Sequence, residues 1–254
     1  MQKSGYIWLN GRIVAWQRAT IHILTHSLHY GSGVFEGIRF YQTSKGPAVF
    51  RLKDHLNRLF LSARAFQMKI PYSKKQLQEA ILTLIKRNKI QAGYIRPIIF
   101  YGEKMGLCPF GAPIYTAIAV WPWGKYLGHG AIKAKTSSFL RLHPQSALMP
   151  LKVSGYYFNS ILATLEAKKA GFDEAILLDY KGRVAEGPGE NIFMVKNRML
   201  YTPPPGTILP GITRATIIQL ARHLGYKARE KNLTIKEIKK ADECFFTGTA
   251  AEVT

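Results

Sequence analysis

Cysteine is nearly absent: Cys108 and Cys244 are the only two in 254 residues, far apart and in no C-x-x-C spacing. This excludes a disulfide framework and a zinc cluster of cysteines, and a reducing cytoplasm is the expected compartment. Long apolar runs are missing too. The longest candidate, Tyr115 to Trp123, is broken by Thr116 and Pro122, short of the ~18 consecutive apolar residues of a membrane span. The N-terminus passes from Lys3 into Tyr6-Ile7-Trp8-Leu9-Asn10-Gly11, a strand and turn rather than a signal peptide, so no export is expected. Nucleotide loops are absent as well: no G-x-x-x-x-G-K-[ST] occurs, and Gly128-x-Gly130 is too short for a dinucleotide loop.

Acidic residues are scarce, 15 against 36 Lys plus Arg, for a net charge of +21. The deficit is uneven, since residues 1–150 hold 21 basic and 4 acidic residues. Such a charge suits nucleic acid, a membrane surface or anionic small molecules. The basic residues are scattered, however, and the longest runs are pairs such as Lys74-Lys75 and Lys239-Lys240. With no RNP-type motif, zinc finger or polybasic tail, the charge reads as a solvated basic surface. A basic nucleic-acid-binding module is the non-enzymatic alternative.

With 47% apolar residues, the chain can bury one large core or two modest ones. Asn10-Gly11, between Tyr6–Leu9 and Ile13–Trp16, predicts a tight hairpin. A strand is expected through Val34–Tyr41. A helix follows on Leu52, Leu56, Leu59, Phe60, Ala63 and Phe66. Ser73 with Gln76 makes a capping box before a second helix on Leu77, Ala80, Ile81, Leu84 and Ile85. Strands are expected at Tyr94–Tyr101 and Tyr115–Trp121. The Gly- and aromatic-rich stretch 122–131 reads as a connector between a small domain, 1–121, and a larger one, 132–254. In the second domain we expect a strand near 132–137 and a helix from Tyr156 to Ala170 closed by Gly171. Strands at Glu174–Asp179 and Asn191–Val195 follow, then a helix from Ile212 to Leu224, a Thr234/Glu237 capping box, and a buried strand at Glu243–Phe246. Irregular alternation with many hairpins is the mark of an α+β protein.

His22, His26 and His29 have the spacing of one helix face, but no carboxylate or cysteine stands near enough to complete a metal site, and none is expected. Leu209-Pro210-Gly211-Ile212-Thr213-Arg214 places a turn at the start of a helix, where N–H groups face an anion. Thr247-Gly248-Thr249-Ala250-Ala251 is a second run of small residues whose backbone a ligand can approach. Lys152 lies in the apolar run Ala147–Val153 with no carboxylate beside it in sequence. Flanks of this kind imply burial, and a desolvated amine is the form a carbonyl-trapping lysine needs. Tyr156-Tyr157 follow directly, and Glu186-Gly187-Pro188-Gly189-Glu190-Asn191 stands between two strands. A nucleophilic lysine, a tyrosine, a glutamate and two anion nests together suit pyridoxal 5′-phosphate: an aldehyde carbon, a phenolic oxygen, a pyridine nitrogen and a phosphate.

On these residues the chain resembles the fold-type IV pyridoxal-phosphate transaminases, and within them the branched-chain amino acid aminotransferases. Seven motifs occur in family order: His29-Tyr30-Gly31; Val34-Phe35-Glu36-Gly37-Ile38-Arg39; Tyr94-Ile95-Arg96-Pro97; Lys152-Val153 through Tyr156–Ser160; Glu186–Asn191; Leu209–Arg214; and Thr247–Glu252. The resemblance implies a two-domain α+β fold and transamination between leucine, isoleucine or valine and 2-oxoglutarate. It implies that Lys152 anchors the cofactor and moves the proton between substrate Cα and cofactor C4′. Glu186 then pairs with the pyridine nitrogen and Tyr157 with the phenolic oxygen, while Arg58, Ile212, Thr213, Gly248 and Thr249 hold the phosphate; Glu190 supports them from behind. Tyr94, Arg96 and the Ala250-Ala251 backbone take the substrate carboxylate. Phe35, Gly37, Trp123, Tyr126 and Tyr157 line an apolar side-chain pocket. Tyr30 and Leu107 are implied to reach in from a neighbouring subunit, so that a homodimer is the smallest competent unit. D-amino acid transaminases and aminodeoxychorismate lyase share this machinery and are the alternatives. Family members continue beyond the segment that ends here at Thr254, and the expectation is a longer polypeptide whose tail covers this face.

Overall fold

In a computed structural model, which describes residues 2–124 and 130–254, the chain forms two units: Met1–Gly124 with Leu151–Gly155, and Lys125–Pro150 with Tyr156–Thr254. The first opens with β1 (Tyr6–Leu9) and β2 (Arg12–Ala15), joined by Asn10 and Gly11 at φ 46° and 86°. Two positive φ angles in succession give the turn whose twist matches that of paired strands. Then come α1 (His26–Tyr30), β3 (Gly33–Phe35), β4 (Ile38–Thr43), β5 (Gly46–Val49), α2 (Leu52–Ala65), α3 (Lys74–Asn88), β6 (Gly93–Tyr101) and β7 (Ile114–Trp121). The antiparallel sheet runs β2-β1-β7-β6-β4-β5, with β3 also on β6. Helix α2 lies against β3, and α3 against β1 and β7. Leu56, Leu59, Leu77, Ile81 and Leu84 from the helices and Ile38, Phe40, Ile95, Ile99 and Ile118 from the sheet are fully buried, each worth ~1.5–3 kcal/mol of apolar transfer. The Ser73–Gln76 capping box forms as expected.

Three expectations are corrected in this unit. The strand through Val34–Tyr41 is interrupted at Glu36-Gly37. Its register on β6 is unbroken, Phe35 opposite Ile98 and Ile38 opposite Ile95, but Pro97, which this register sets opposite Glu36, has no N–H to donate. Only the bond from Glu36 N–H to the Pro97 carbonyl, 2.9 Å, remains there. The histidine face does not form either, because α1 begins at His26 and His22 precedes it. Finally, Leu151–Gly155 belongs with the first unit, which a single cut along the chain cannot express. Its backbone is tied in: Phe35 N–H donates to Lys152 O (3.1 Å) and Gly155 N–H to Gly31 O (3.0 Å), Lys152 N–H donates to Ser62 Oγ (3.2 Å), and Val153 bridges Val34.

The second unit holds β8 (Ala134–Leu140), α4 (Tyr157–Lys169), β9 (Glu174–Leu178) and β10 (Val184–Glu186), then β11 (Asn191–Lys196), β12 (Met199–Thr202), α5 (Ile212–His223), β13 (Lys227–Glu230), α6 (Ile235–Ile238), β14 (Glu243–Gly248) and β15 (Glu252–Val253). Two sheets result, β10-β9-β8 and β13-β12-β11-β14-β15. Ile176, Val184, Ile192, Met194, Leu233 and Phe246 form one core cluster; Ala163, Ala167, Ala175 and Leu177 form another. The strand near 132–137 begins two residues later and runs to Leu140. The Glu243–Phe246 segment is a strand, but Glu243 and Cys244 are exposed, Phe245 is half-buried and only Phe246 is buried. Both units mix helices with mainly antiparallel sheet, the α+β class.

Candidate active site

In the first unit, Lys152 is half-buried between the buried Leu151 and Val153, so its apolar flanks pack while its amine keeps an outlet. Its Nζ lies 5.1 Å from the centroid of the Phe35 ring, and the guanidinium carbon of Arg96 lies 4.6 Å from the same centroid. One aromatic ring thus carries an amine and a guanidinium. Arg96 Nη2 donates to Tyr94 Oη at 3.4 Å, whereas its Nε is one of three buried side-chain polar atoms without a partner among the described residues. Tyr94 is boxed by Trp123 (4.4 Å between centroids, edge-on) and Trp121 (5.3 Å). Gly37 makes room for it: a Cβ there would stand 1.8 Å from Tyr94 Oη. Arg39, which sequence reasoning left without a role, is buried and donates to the carbonyls of Trp123 and Gly124, both at 2.9 Å. Tyr126 lies outside the described residues. A half-buried arginine whose buried Nε lacks a partner among the described residues, walled by aromatic rings, suits a carboxylate joined to an apolar group.

Arg58 lies on α2 and is held by Glu36. Its Nε and Nη2 donate to the two oxygens of Glu36 at 2.6 and 2.9 Å, and Glu36 Oε2 lies 2.7 Å from His55 Nδ1. Burial pushes the Glu36 carboxyl up, but the charge of Arg58 and hydrogen bonds from His55 and Arg58 outweigh it, so the group lies at about 2. Burial pushes the His55 imidazole below its ordinary value against the pull of Glu36. A carboxylate can only accept, so the proton of neutral His55 sits on Nδ1.

Tyr30 and the 105–107 loop come together within the chain. His26 bonds Ser32 Oγ through Nδ1 (2.6 Å) and the Gly106 carbonyl through Nε2 (2.8 Å), and Gly106 N–H donates to Tyr30 Oη at 3.3 Å. The loop is thereby fixed at its base while Leu107 stays 86% exposed.

In the second unit a bulge between Val184 and Glu186 in the β9–β10 pairing re-aims the Glu186 side chain. Its carboxylate is buried and accepts from Arg141 Nε (2.7 Å), Asn191 Nδ2 (3.0 Å) and Leu209 N–H (3.1 Å). Asn191 also donates to the Leu209 carbonyl at 2.9 Å, and Arg141 to Asn159 Oδ1 at 3.3 Å. Asn191 thus ties the glutamate to the turn before α5. Gly211, the N-cap of α5, has an ordinary backbone with no side-chain cap; glycine is required by crowding, since a Cβ would stand 2.0 Å from Asn191 Oδ1. The first N–H groups of this twelve-residue helix, at Ile212 and Thr213, therefore present the positive end of its dipole without a side-chain cap. Gly248, Thr249, Ala250 and Ala251 form the end of β14 and the turn into β15, closed by Thr247–Val253 and Gly248–Glu252 pairing. A Cβ on Gly248 would lie 3.3 Å from buried Glu190. Tyr157 is the first, half-buried residue of α4.

Residues 33–254 match the family model for amino-transferase class IV. The chain belongs to the class IV aminotransferases. Among the members it resembles, the branched-chain-amino-acid aminotransferase of Pseudomonas aeruginosa is 50% identical over 257 residues, covering 99% of this chain and 84% of that protein. The crystal structure of the Escherichia coli branched-chain amino acid aminotransferase superposes with a TM-score of 0.97 at 44% identity, covering 99% of this chain and 85% of that one. The branched-chain amino acid aminotransferase of Thermobaculum terrenum, solved in its PLP-containing holo form, gives a TM-score of 0.93 at 33% identity, over 100% of this chain and 85% of that one. The family read from seven motifs is therefore borne out, with its fold.

Arg39, Arg141 and Asn191 escaped functional assignment from sequence. Arg141 stands 45 residues from Glu186, and nothing local marks the pair. A weak signal for Glu36 existed: it is a lone carboxylate in an apolar strand, and His55 and Arg58 lie three apart on one helix.

Proposed function

We propose that this class IV aminotransferase passes the amino group of leucine, isoleucine or valine to 2-oxoglutarate, giving branched-chain 2-oxo acids and L-glutamate, with pyridoxal 5′-phosphate as cofactor. The observation that carries this reading is the Phe35 ring with Lys152 Nζ at 5.1 Å and Arg96 at 4.6 Å. An amine that can take a substrate's α-carbon chemistry and a guanidinium that can take its carboxylate share one aromatic wall.

The residues present fit the cofactor. The side-chain-uncapped N-terminus of α5 suits a phosphate, and the buried carboxylate of Glu186 suits a protonated ring nitrogen. When bound, pyridoxal phosphate supplies a carbonyl carbon and an electron sink. In the first unit we assign the cofactor's covalent anchor and the proton on substrate Cα to Lys152 Nζ, one phosphate contact to Arg58, and the substrate carboxylate to Arg96 and Tyr94. Phe35, Gly37, Trp123 and Tyr126 are assigned to the apolar pocket. In the second unit we assign the ring nitrogen to Glu186, the phenolic oxygen to Tyr157, the phosphate to Ile212, Thr213, Gly248 and Thr249, and substrate backbone contacts to Ala250 and Ala251. Arg141, Asn191 and the Leu209 amide fix the orientation of Glu186, which would hold a ring nitrogen protonated.

Tyr30 and Leu107 are assigned to the site of a second copy, in a homodimer or a higher homo-oligomer. The support is exposure: Leu107, Met105, Leu28 and Ile23 are each about half exposed or more, on segments that the Gly106–Tyr30 hydrogen bond links, and exposed apolar side chains on linked segments suit a protein contact. No described helix is long and apolar enough to cross a membrane, and we assign the enzyme to the cytoplasm.

A donor panel with 2-oxoglutarate as acceptor tests the substrate reading. L-leucine, L-isoleucine and L-valine should be turned over in preference to D-alanine. Faster turnover of D-alanine would move the chain to the D-amino acid transaminases.

A further inference from the structure

Glu36 and His55 have no role in the function assigned above, yet both are buried beside a residue that does. Glu36 is completely buried and His55 is 1% exposed. The carboxylate takes Arg58 side-on through Nε and Nη2 and His55 through Nδ1. Its own backbone is fixed in the gap between β3 and β4 by the bond from Glu36 N–H to the Pro97 carbonyl. His55 and Arg58 are one turn apart on α2, so a rigid strand gap and a rigid helix meet at this carboxylate.

A buried ion pair is weak evidence of a contribution to stability, because desolvation offsets its attraction. Its geometry is the stronger clue. A guanidinium is a planar fork of five N–H donors. Two of them meet Glu36, which sets the plane of the group. By charge alone, a carboxylate so close to an arginine would weaken its hold on any anion. Orientation and charge therefore predict opposite consequences of removing it.

We propose that Glu36, with His55 bracing it, is a positioning residue that fixes the Arg58 guanidinium in the orientation in which it holds the cofactor phosphate. The inference rests on the reading of Arg58 as a phosphate ligand, and the experiment keeps the two apart. The full chain is stripped of cofactor and titrated with pyridoxal phosphate and with pyridoxal, which lacks the phosphate. Glu36→Gln should weaken pyridoxal phosphate roughly tenfold or more, as loss of an outer partner does at metal ligands, and leave pyridoxal unchanged. Arg58→Lys should show the same selectivity, and the double variant should be no worse than the more damaged single one.

If Arg58→Lys discriminates but Glu36→Gln binds pyridoxal phosphate as well as or better than the parent, the positioning role is wrong and the phosphate contact stands. If Arg58→Lys leaves both affinities unchanged, the phosphate reading falls and the positioning role falls with it. Equal weakening of both ligands in Glu36→Gln would assign Glu36 a merely structural part and overturn the proposal. Should Glu36→Gln fail to fold, Glu36→Asp keeps the charge and withdraws the carboxylate by one methylene; the same selective loss is expected, and its absence has the same force.

Discussion

Glu186→Gln is the most informative single change, because the surroundings of Glu186 make it more than the loss of a charge. The carboxylate accepts from Arg141, Asn191 and the Leu209 backbone. A glutamine has one oxygen to offer. If that oxygen faces Arg141, its NH2 faces Asn191 Nδ2 and the Leu209 N–H; turned over, it opposes a guanidinium at 10% exposure. Complete removal of a partner from a buried pair costs ~3–5 kcal/mol. Retaining one oxygen recovers part of that, so about 2–3 kcal/mol should be lost. At ~2–4 °C per kcal/mol for a chain of about 250 residues, the thermal midpoint of the cofactor-free chain should fall by roughly 5–10 °C. Arg141→Met added to Glu186→Gln should cost less than the sum of the two single changes, with a coupling of ~1–3 kcal/mol. If Glu186 holds the ring nitrogen, as proposed, cofactor-saturated Glu186→Gln should also be slow at the Cα proton step. Strict additivity of the two variants would refute the pairing argument. Normal turnover at neutral pH would refute the ring-nitrogen role and make Glu190 the first suspect.

Two further predictions concern other parts of the site. Arg96→Ala should raise KM for both the branched-chain donor and 2-oxoglutarate, with a loss of ~2 kcal/mol or more in kcat/KM for removing one partner of a hydrogen-bonded charge pair; a normal KM for both removes Arg96 from carboxylate recognition. Gly211→Ala should destabilise the second unit by ~1–3 kcal/mol, because its Cβ meets Asn191 Oδ1 at 2.0 Å. Asn191→Ala in the same chain should abolish that increment, and a thermal midpoint that still falls by the full amount would show the crowding lies elsewhere.

Much of the fold was legible because its signals are local. Asn10-Gly11 dictates its own turn, and Ser73 and Thr234 form the capping boxes expected of them. What could not be read depends on partners distant in sequence. The β3–β4 gap follows from Pro97 across the sheet, a residue that alternation along Val34–Tyr41 cannot sense. The grouping of Leu151–Gly155 with the first unit depends on Gly31, Val34 and Ser62, each about a hundred residues away. Lys152 stood out through its apolar flanks; its neighbours Leu151 and Val153 are buried, whereas Leu148 and Pro150 are exposed and the lysine itself is half-exposed. Arg141 and Asn191 remained silent because a buried polar side chain looks like any surface one until its acceptor is in place.

The central claim is that Lys152 carries the cofactor. Borohydride reduction of the loaded enzyme fixes the cofactor on its lysine, and peptide mass mapping then finds it. The account predicts a phosphopyridoxyl group on the peptide containing Lys152, and no such label in Lys152→Ala. A label on any other lysine, or one that persists in Lys152→Ala, would contradict it.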